Sequence, residues 1–279
     1  MKQTLLKVLT HPTPLRVVAT RKLVKYFSLL SYPQRLDMAA VDRPHYGHCI
    51  HEAVKLAARL KYPEISVVEF GCGGGNGLLN AEMHIAEIEK LYAVKVQLYG
   101  FDNATGLPPT EDYRDFPHYF RRGQFRMDVD ALRKRLTRAK LVIGDVAETR
   151  TRFLQDFKPA PIGAILHDLD FYSSTRDALQ LFDVESKYFL PRVFMYFDDI
   201  NGNNTWLPSE HTGELLAINE FNQTHDSRKI AVNRSMPHWY RDQGWLNQIY
   251  IYHDFQHPDY NVFVGGAESA LHDGDIELR

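Results

Sequence analysis

The residues best suited to chemistry are glycines and acids, and they recur at one kind of place. Glu69 closes a short β-branched run, Ile65–Glu69, and Gly71, Gly73, Gly74, Gly75 and Gly77 crowd the stretch behind it. Glycines that dense after a strand let the backbone turn tightly and let a ligand come close. Asp102 ends the next β-rich run, where a carboxylate can accept both hydroxyls of a ribose. The turn and Asp102 together read as a nucleoside site. No register supplies the dinucleotide fingerprint G-x-G-x-x-G: counted from Gly71, Gly73 or Gly75, its last position falls on Asn76, Leu78 or Asn80. The pattern that fits is acid-x-G-x-G-x-G, formed by Glu69, Gly71, Gly73 and Gly75. Further acids follow later β-rich runs: Asp145 behind Gly144, the stretch His167-Asp168-Leu169-Asp170, and the pair Asp198-Asp199.

The elements that must position these groups alternate. Helical periodicity from Tyr46 to Tyr62 leads to strand Ile65–Glu69, and a helix follows from Gly77 to Ala93. Strands Lys95–Phe101, Lys140–Ile143, Ile162–Leu166 and Val193–Phe197 come next. Helices are expected at Asp130–Arg138, from Glu148, at Ser173–Phe182 and at Glu210–Phe221. Two last strands, Lys229–Asn233 and Gln248–Tyr252, are placed to pair antiparallel. Alternating strand and helix predicts an α/β fold, a doubly wound, mostly parallel sheet covered on both faces. In such sheets ligands bind outside the carboxyl ends of the strands. Neighbouring strands lie about 4.8 Å apart, so acids at those ends converge on one crevice. Residues 104–128 break the rhythm with Pro108, Pro109 and Pro117 among Tyr113, Phe116, Tyr119 and Phe120. An insertion of that length and composition reads as a lid or substrate loop.

Composition bounds the answer. At 279 residues, with 44% hydrophobic and 24% charged residues, the chain can bury a sizeable core. A formal charge of −2 gives no support to nucleic-acid binding. The two cysteines, Cys49 and Cys72, lack metal-ligand spacing and make no disulfide framework, so a reducing, cytoplasmic setting is expected. Residues 1–43 form an N-terminal arm, 44–264 the main domain and 265–279 an acidic tail. Residues 1–36 carry Lys2, Lys7, Arg16, Arg21, Lys22, Lys25 and Arg35 with no acid. Interleaved with Leu5, Leu9, Leu23, Val24 and Phe27, this basic amphipathic segment suits peripheral contact with an anionic membrane. Packing on the body, or on a second subunit as a homodimer, is the plainer reading.

The chain resembles the class I S-adenosylmethionine-dependent methyltransferases, and within them the macrocin O-methyltransferase-like family, which methylates sugar hydroxyls with a metal. The resemblance is carried by VEFGCGGGNG (68–77), YGFDNATGLP (99–108), GD (144–145), HDLDFYSST (167–175) and FDD (197–199), and spans about residues 44–225. It implies S-adenosylmethionine as cofactor. Glu69 would hold the methionine amino group, with Gly71, Gly73, Gly75 and Asn76 beside it. Asp102 would take the ribose hydroxyls and Asp145 the adenine amino group. Asp168, Asp198 and Asp199 would be metal ligands, with Asp168 at the catalytic centre. Carboxylates without His or Cys make a hard-oxygen set, so Mg²⁺, Ca²⁺ or Mn²⁺ is expected before Zn²⁺, and Mg²⁺ first. Three unpaired carboxylates packed together would repel, so a cation or raised pKa values must relieve them. The expected reaction is methyl transfer to a hydroxyl of a sugar or another small diol.

Bland roles compete for several residues. Asp145 would serve equally as a helix N-cap. Asp170 could replace Asp168 as ligand, and His167 reads either as a buried structural histidine or as an extra ligand. For the general base, His211, His238, His253 and His257 lie behind the metal motif, and His253, at the end of a strand, is the firmest placement. Phe116, Tyr119, Phe120, Trp206, Trp239 and Trp245 are candidates to stack on a sugar ring. Two other function classes stay open. One is a catalytically inactive scaffold that keeps the fold; the other is a nicotinamide oxidoreductase, for which the fingerprint is missing.

Overall fold

In the computed structural model, residues 15–27, 30–110, 112–236 and 244–265 are described. Lys2, Lys7, His238, Trp239 and the acidic tail after Gly265 lie outside them. Seven strands form one sheet: β1 (Glu64–Phe70), β2 (Lys95–Asp102), β3 (Lys140–Ile143), β4 (Ile162–His167), β5 (Phe189–Phe197), β6 (Arg228–Val232) and β7 (Ile249–Asp254). Their order is β3-β2-β1-β4-β5-β7-β6. The first five run parallel, while β7 is antiparallel to both β5 and β6.

The helices, in chain order, are α1 (Leu15–Phe27), α2 (Tyr32–Asp37), α3 (Pro44–Arg59), α4 (Asn76–Ile88), α5 (Val129–Arg135), α6 (Val146–Phe157), α7 (Tyr172–Leu179) and α8 (Gly213–Thr224). They cover both faces of the sheet. Ile65 and Val67 of β1 pack with Ile50, Val54, Leu78 and Ile85 on the α3/α4 side. Val68 and Phe70 pack with Phe153, Phe182 and Phe221 on the α6–α8 side. That alternation is the period of two of a strand buried on both faces. It also decides where the strand-end residues point.

Several boundaries differ from expectation, three of them for local reasons. Helix α4 stops at Ile88, five residues early. Its next residue, Glu89, takes the Val96 N–H at 3.0 Å and two Arg138 bonds at 2.7 Å, which turns the chain into β2. Strand β5 starts at Phe189, before Pro191, because its pairing with β4 slips between Ile162 and Ala164. A proline that cannot donate to the ladder fits at such an irregularity. Helix α8 starts at Gly213 instead of Glu210, after Thr212 with extended backbone.

The insertion at 104–128 folds back over the carboxyl ends of the strands. A pair of backbone bonds, Leu107 N–H to Gln124 O and Gly123 N–H to Leu107 O, both 2.8 Å, closes its base. Phe116 and Phe120 join Phe171 in a small core of their own, with Trp206 against it. Buried Asp115 fastens the insertion to α7 by accepting the N–H and hydroxyl of Ser173, both at 2.9 Å.

Candidate functional site

Strands β1, β2, β4 and β5 end beside one cavity of about 490 Å³, roofed by the insertion. Its lining includes Glu69, Gly71, Gly73, Asn76 and Asp102 on one side and Asp168, Asp170, Asp198 and Asp199 on the other.

The glycine turn is built for close approach. Gly71 has φ +81°, and a Cβ there would stand 1.7 Å from the Asp168 carbonyl oxygen. The turn behind β1 and the turn behind β4 therefore touch backbone to backbone, which no other residue allows. Gly73 and Gly74 face open space. Gly75 does not line the cavity; with φ +77° it caps α4, and a Cβ would strike Leu132 at 2.1 Å.

Glu69 lies on the α3/α4 side of β1, 1% exposed, and accepts the Tyr46 hydroxyl at 2.9 Å on one oxygen. Its other oxygen, Oε2, is buried without a partner. Burial pushes this carboxyl up to about 8, opposed by the Tyr46 hydrogen bond and reinforced by the charge of Asp168. A cationic group entering beside Glu69 would satisfy the orphan oxygen and ionise the acid.

Asp102 braces the turn it faces. One oxygen takes the N–H groups of Cys72 and Gly73 at 3.0 and 2.8 Å, and the other takes the Ala104 N–H at 2.6 Å. The cap role and the cavity position thus coexist, since the three N–H groups leave one lone pair free, on the oxygen that takes Ala104. Asp145 has only the first of these. It is exposed, caps α6 through the Ala147 N–H at 2.8 Å, and is absent from the cavity lining.

Asp168, Asp198 and Asp199 each place a carboxylate oxygen within 4.8 Å of the others. The backbone sets them: Asp168 N–H bonds to Phe70 O at 2.9 Å, and Asp198 N–H to His167 O at 3.0 Å. Tyr196 donates its hydroxyl to Asp198. Asp199 accepts the Asp170 N–H at 2.8 Å and gives its own N–H to Glu214 at 2.9 Å. Burial raises Asp168, Asp170 and Asp199, with Asp198 adding to the first, Asp168 to the second and Asp170 to the third. Asp170 is held at φ +61°, in a left-handed turn, and lines the cavity too. The donor set fits a hard divalent cation: all oxygen, closely spaced, and burdened with buried negative charge.

Other expectations need correction. His253 pairs with Arg192 and Lys229, at the far end of the sheet from Asp198, because β7 runs antiparallel. Six residue steps along the chain separate Arg192 from Asp198, roughly 20 Å, so His253 cannot reach the acids; its ring nitrogen meets the Tyr260 hydroxyl at 2.9 Å. His257 follows β7 at that same end, where its N–H bonds to Asp254. His211 is exposed in a loop. His167 is not a ligand: strand alternation points it to the α6–α8 side, stacked on Phe197 with ring centroids 4.4 Å apart and an interplanar angle of 9°. Burial alone lowers it to about 3.

Of the aromatic candidates, Tyr119, Phe120 and Trp206 line the cavity, and Tyr119 and Trp206 stack at 5.5 Å. Phe116 is buried beneath them, while Trp245 packs beside His45 and His48. Three participants had escaped sequence reasoning. Arg43 enters the cavity from the residue preceding α3, Tyr46 holds Glu69, and Glu214, fully buried at the start of α8, holds Asp199. None belongs to a motif; each reaches the site only through the packing of its helix.

No family model matches the chain, and no curated protein does. Solved structures do. The O-methyltransferase NovP is 13% identical, with 75% of this chain and 79% of that chain covered and a TM-score of 0.50. CalS11, a calicheamicin methyltransferase, is 20% identical over 91% of each chain, with a TM-score of 0.49. The chain has the Rossmann-like fold of the class I methyltransferases, with the antiparallel β7 set between β5 and β6.

Proposed function

We propose that this protein is an S-adenosylmethionine-dependent O-methyltransferase acting on a hydroxyl of a sugar or another small diol, assisted by a divalent cation, Mg²⁺ first. One observation carries this reading: a nucleoside-type turn with Glu69 and Asp102, and a cluster of convergent carboxylates, share a single roofed cavity.

Bound S-adenosylmethionine would bring an already activated methyl group, and a divalent cation on Asp168, Asp198 and Asp199 would supply Lewis acidity to a chelating diol. The chain's own residues do the rest. Glu69 Oε2 receives the methionine ammonium. Asp102 would accept from the ribose with its remaining lone pair while it keeps the turn in shape. Asp170, inside the cavity and beside the cluster, takes the proton from the acceptor hydroxyl as it attacks, the role first expected of His253. Tyr119, Phe120 and Trp206 cover the acceptor ring and exclude water. Holding two reactants in attack geometry can supply roughly 7–11 kcal/mol of the barrier.

The test has two parts. Titration calorimetry with S-adenosylhomocysteine should show a single binding site; no heat and no thermal shift would sink the cofactor reading. Methyl transfer to a panel of nucleotide sugars, glycans and phenolic diols, with and without EDTA, then reads the acceptor and the metal. The reading includes peripheral membrane contact through residues 1–36. What supports it is the outer face of α1, where Leu23, Tyr26 and Phe27 are 54%, 77% and 67% exposed beside Arg16 and Lys22.

A further inference from the structure

Among the described residues, seven charged side chains line the cavity, and six of them are acids: Glu69, Asp102, Asp168, Asp170, Asp198 and Asp199. The seventh is Arg43. Its guanidinium lies over the Tyr46 ring, 5.1 Å from the centroid. Among the described residues it has no hydrogen-bond or ion-pair partner. An arginine facing that many carboxylates without bonding to one is held where it is by the backbone.

The backbone is unusual there. Arg43 has φ +41° and ψ 61°, a left-handed conformation that disfavours a side chain by roughly 1–2 kcal/mol. Pro44 fixes the next residue as the first of α3, and the Tyr46 and Gly47 N–H groups bond to the Arg43 carbonyl at 3.0 and 3.2 Å. The same turn of helix carries Tyr46, whose hydroxyl fixes Glu69. One rigid segment thus sets both an arginine without a protein partner and a buried carboxylate with an orphan oxygen. Strain that persists at a ligand cavity points to a function for the strained residue.

A cation and an anion side by side in one cavity match a zwitterion. We infer that Arg43 binds the α-carboxylate of the cofactor's amino-acid end while Glu69 binds its ammonium, so that this pair selects ligands with an intact α-amino acid. The inference rests on the S-adenosylmethionine reading and adds to it a residue and a selectivity. Arginine suits the task because its planar fork meets a carboxylate with two parallel N–H bonds. A second consequence follows from charge alone. In a cavity so rich in acids, a ligand carboxylate has no other cationic side chain among the described lining residues to meet.

The experiment compares two ligands on the full-length chain by titration calorimetry: S-adenosylhomocysteine and its decarboxylated analogue. They share the nucleoside, the sulfur and the ammonium, and differ only in the carboxylate. Wild type should bind S-adenosylhomocysteine more tightly. Arg43→Met should weaken S-adenosylhomocysteine roughly 10–100-fold, the usual range for a charge-assisted hydrogen bond. It should leave the analogue within about twofold, and Arg43→Lys should recover part of the loss. Melting curves verify that each variant is folded, and Arg43→Gln replaces the methionine variant if that one is not. Equal weakening of both ligands, or of neither, would overturn the inference. If wild type binds neither ligand, the cofactor reading itself fails, and this outcome is distinct from a failure of Arg43 alone.

Discussion

At the scale of single residues, the site depends on placing like charges where each has something to hold. Glu69 is the clearest case. Below about pH 4.5 its carboxyl is protonated in the folded and unfolded chain alike; between there and about 8 only the folded chain keeps the proton. The unfolded state then binds fewer protons, so ligand-free stability falls as pH rises through that window. Glu69→Gln should flatten this fall in a series of denaturant melts from pH 5 to 8, by at most about 1.4 kcal/mol per pH unit, and weaken S-adenosylhomocysteine. An unchanged slope would show that Glu69 is ionised in the free protein. Asp168→Ala and Asp198→Ala act on different groups. Each should cut metal-dependent turnover by roughly 100-fold or more, on the order of 3 kcal/mol, while cofactor affinity stays within about twofold; full turnover in either variant would remove the cluster from the mechanism. Gly71→Ala belongs here too. A Cβ 1.7 Å from the Asp168 carbonyl, at φ +81°, must move a backbone. A loss of about 3 kcal/mol or more is expected in the same melts.

At the scale of elements, the strand ends and the insertion answer to different forces. The strands are fixed by apolar runs buried on both faces, and they would keep their order without the lid. The lid has its own core of Phe116, Phe120 and Phe171 and a buried polar anchor, Asp115 on Ser173. Asp115→Ala leaves the Ser173 N–H and hydroxyl without that acceptor, a cost of roughly 1–3 kcal/mol. That energy is local to the lid. Limited proteolysis should therefore cut within 104–128 faster in the variant, while cofactor affinity is preserved and KM for the acceptor rises. Proteolysis at the wild-type rate would mean that the aromatic core alone holds the lid. Glu214 shows the converse: it sits in α8, beneath the sheet end, and fixes Asp199 from outside the motif.

For the whole molecule, ligand binding and surface contact are the measurable readouts. S-adenosylhomocysteine at 100 times its dissociation constant should stabilise the fold by about 2.7 kcal/mol. For a chain of this size that is a rise in Tm of roughly 5–10 °C, with NAD⁺ giving none; the reverse preference would restore the oxidoreductase reading. No described helix is long and apolar enough to cross a membrane, so α1 can only lie along one. The full chain should co-sediment with phosphatidylserine vesicles at low salt and be released at high salt. Substituting Leu23 and Phe27 by Ser should reduce the bound fraction severalfold. Equal sedimentation with neutral vesicles would argue for a different contact.

The sequence by itself determined what depends on neighbours along the chain. Left-handed turns and close backbone approach favour glycine, so the run from Gly71 to Gly77 marked the ligand turn. Strands buried on both faces need continuous apolar runs, so the parallel sheet and the acids at its carboxyl edge were legible from Ile65 to Asp199. The tertiary structure decided what depends on direction and on distant partners. The direction of β7 carried His253 to the wrong end of the sheet, because an antiparallel strand delivers its last residue opposite to its neighbour's. Strand alternation turned His167 into the aromatic core. Packing brought Arg43, Tyr46 and Glu214 to a site whose motifs lie tens of residues away in sequence. No spacing rule joins residue 43 to residue 69, or 199 to 214; the contacts exist because α3 and α8 close over opposite faces of one sheet.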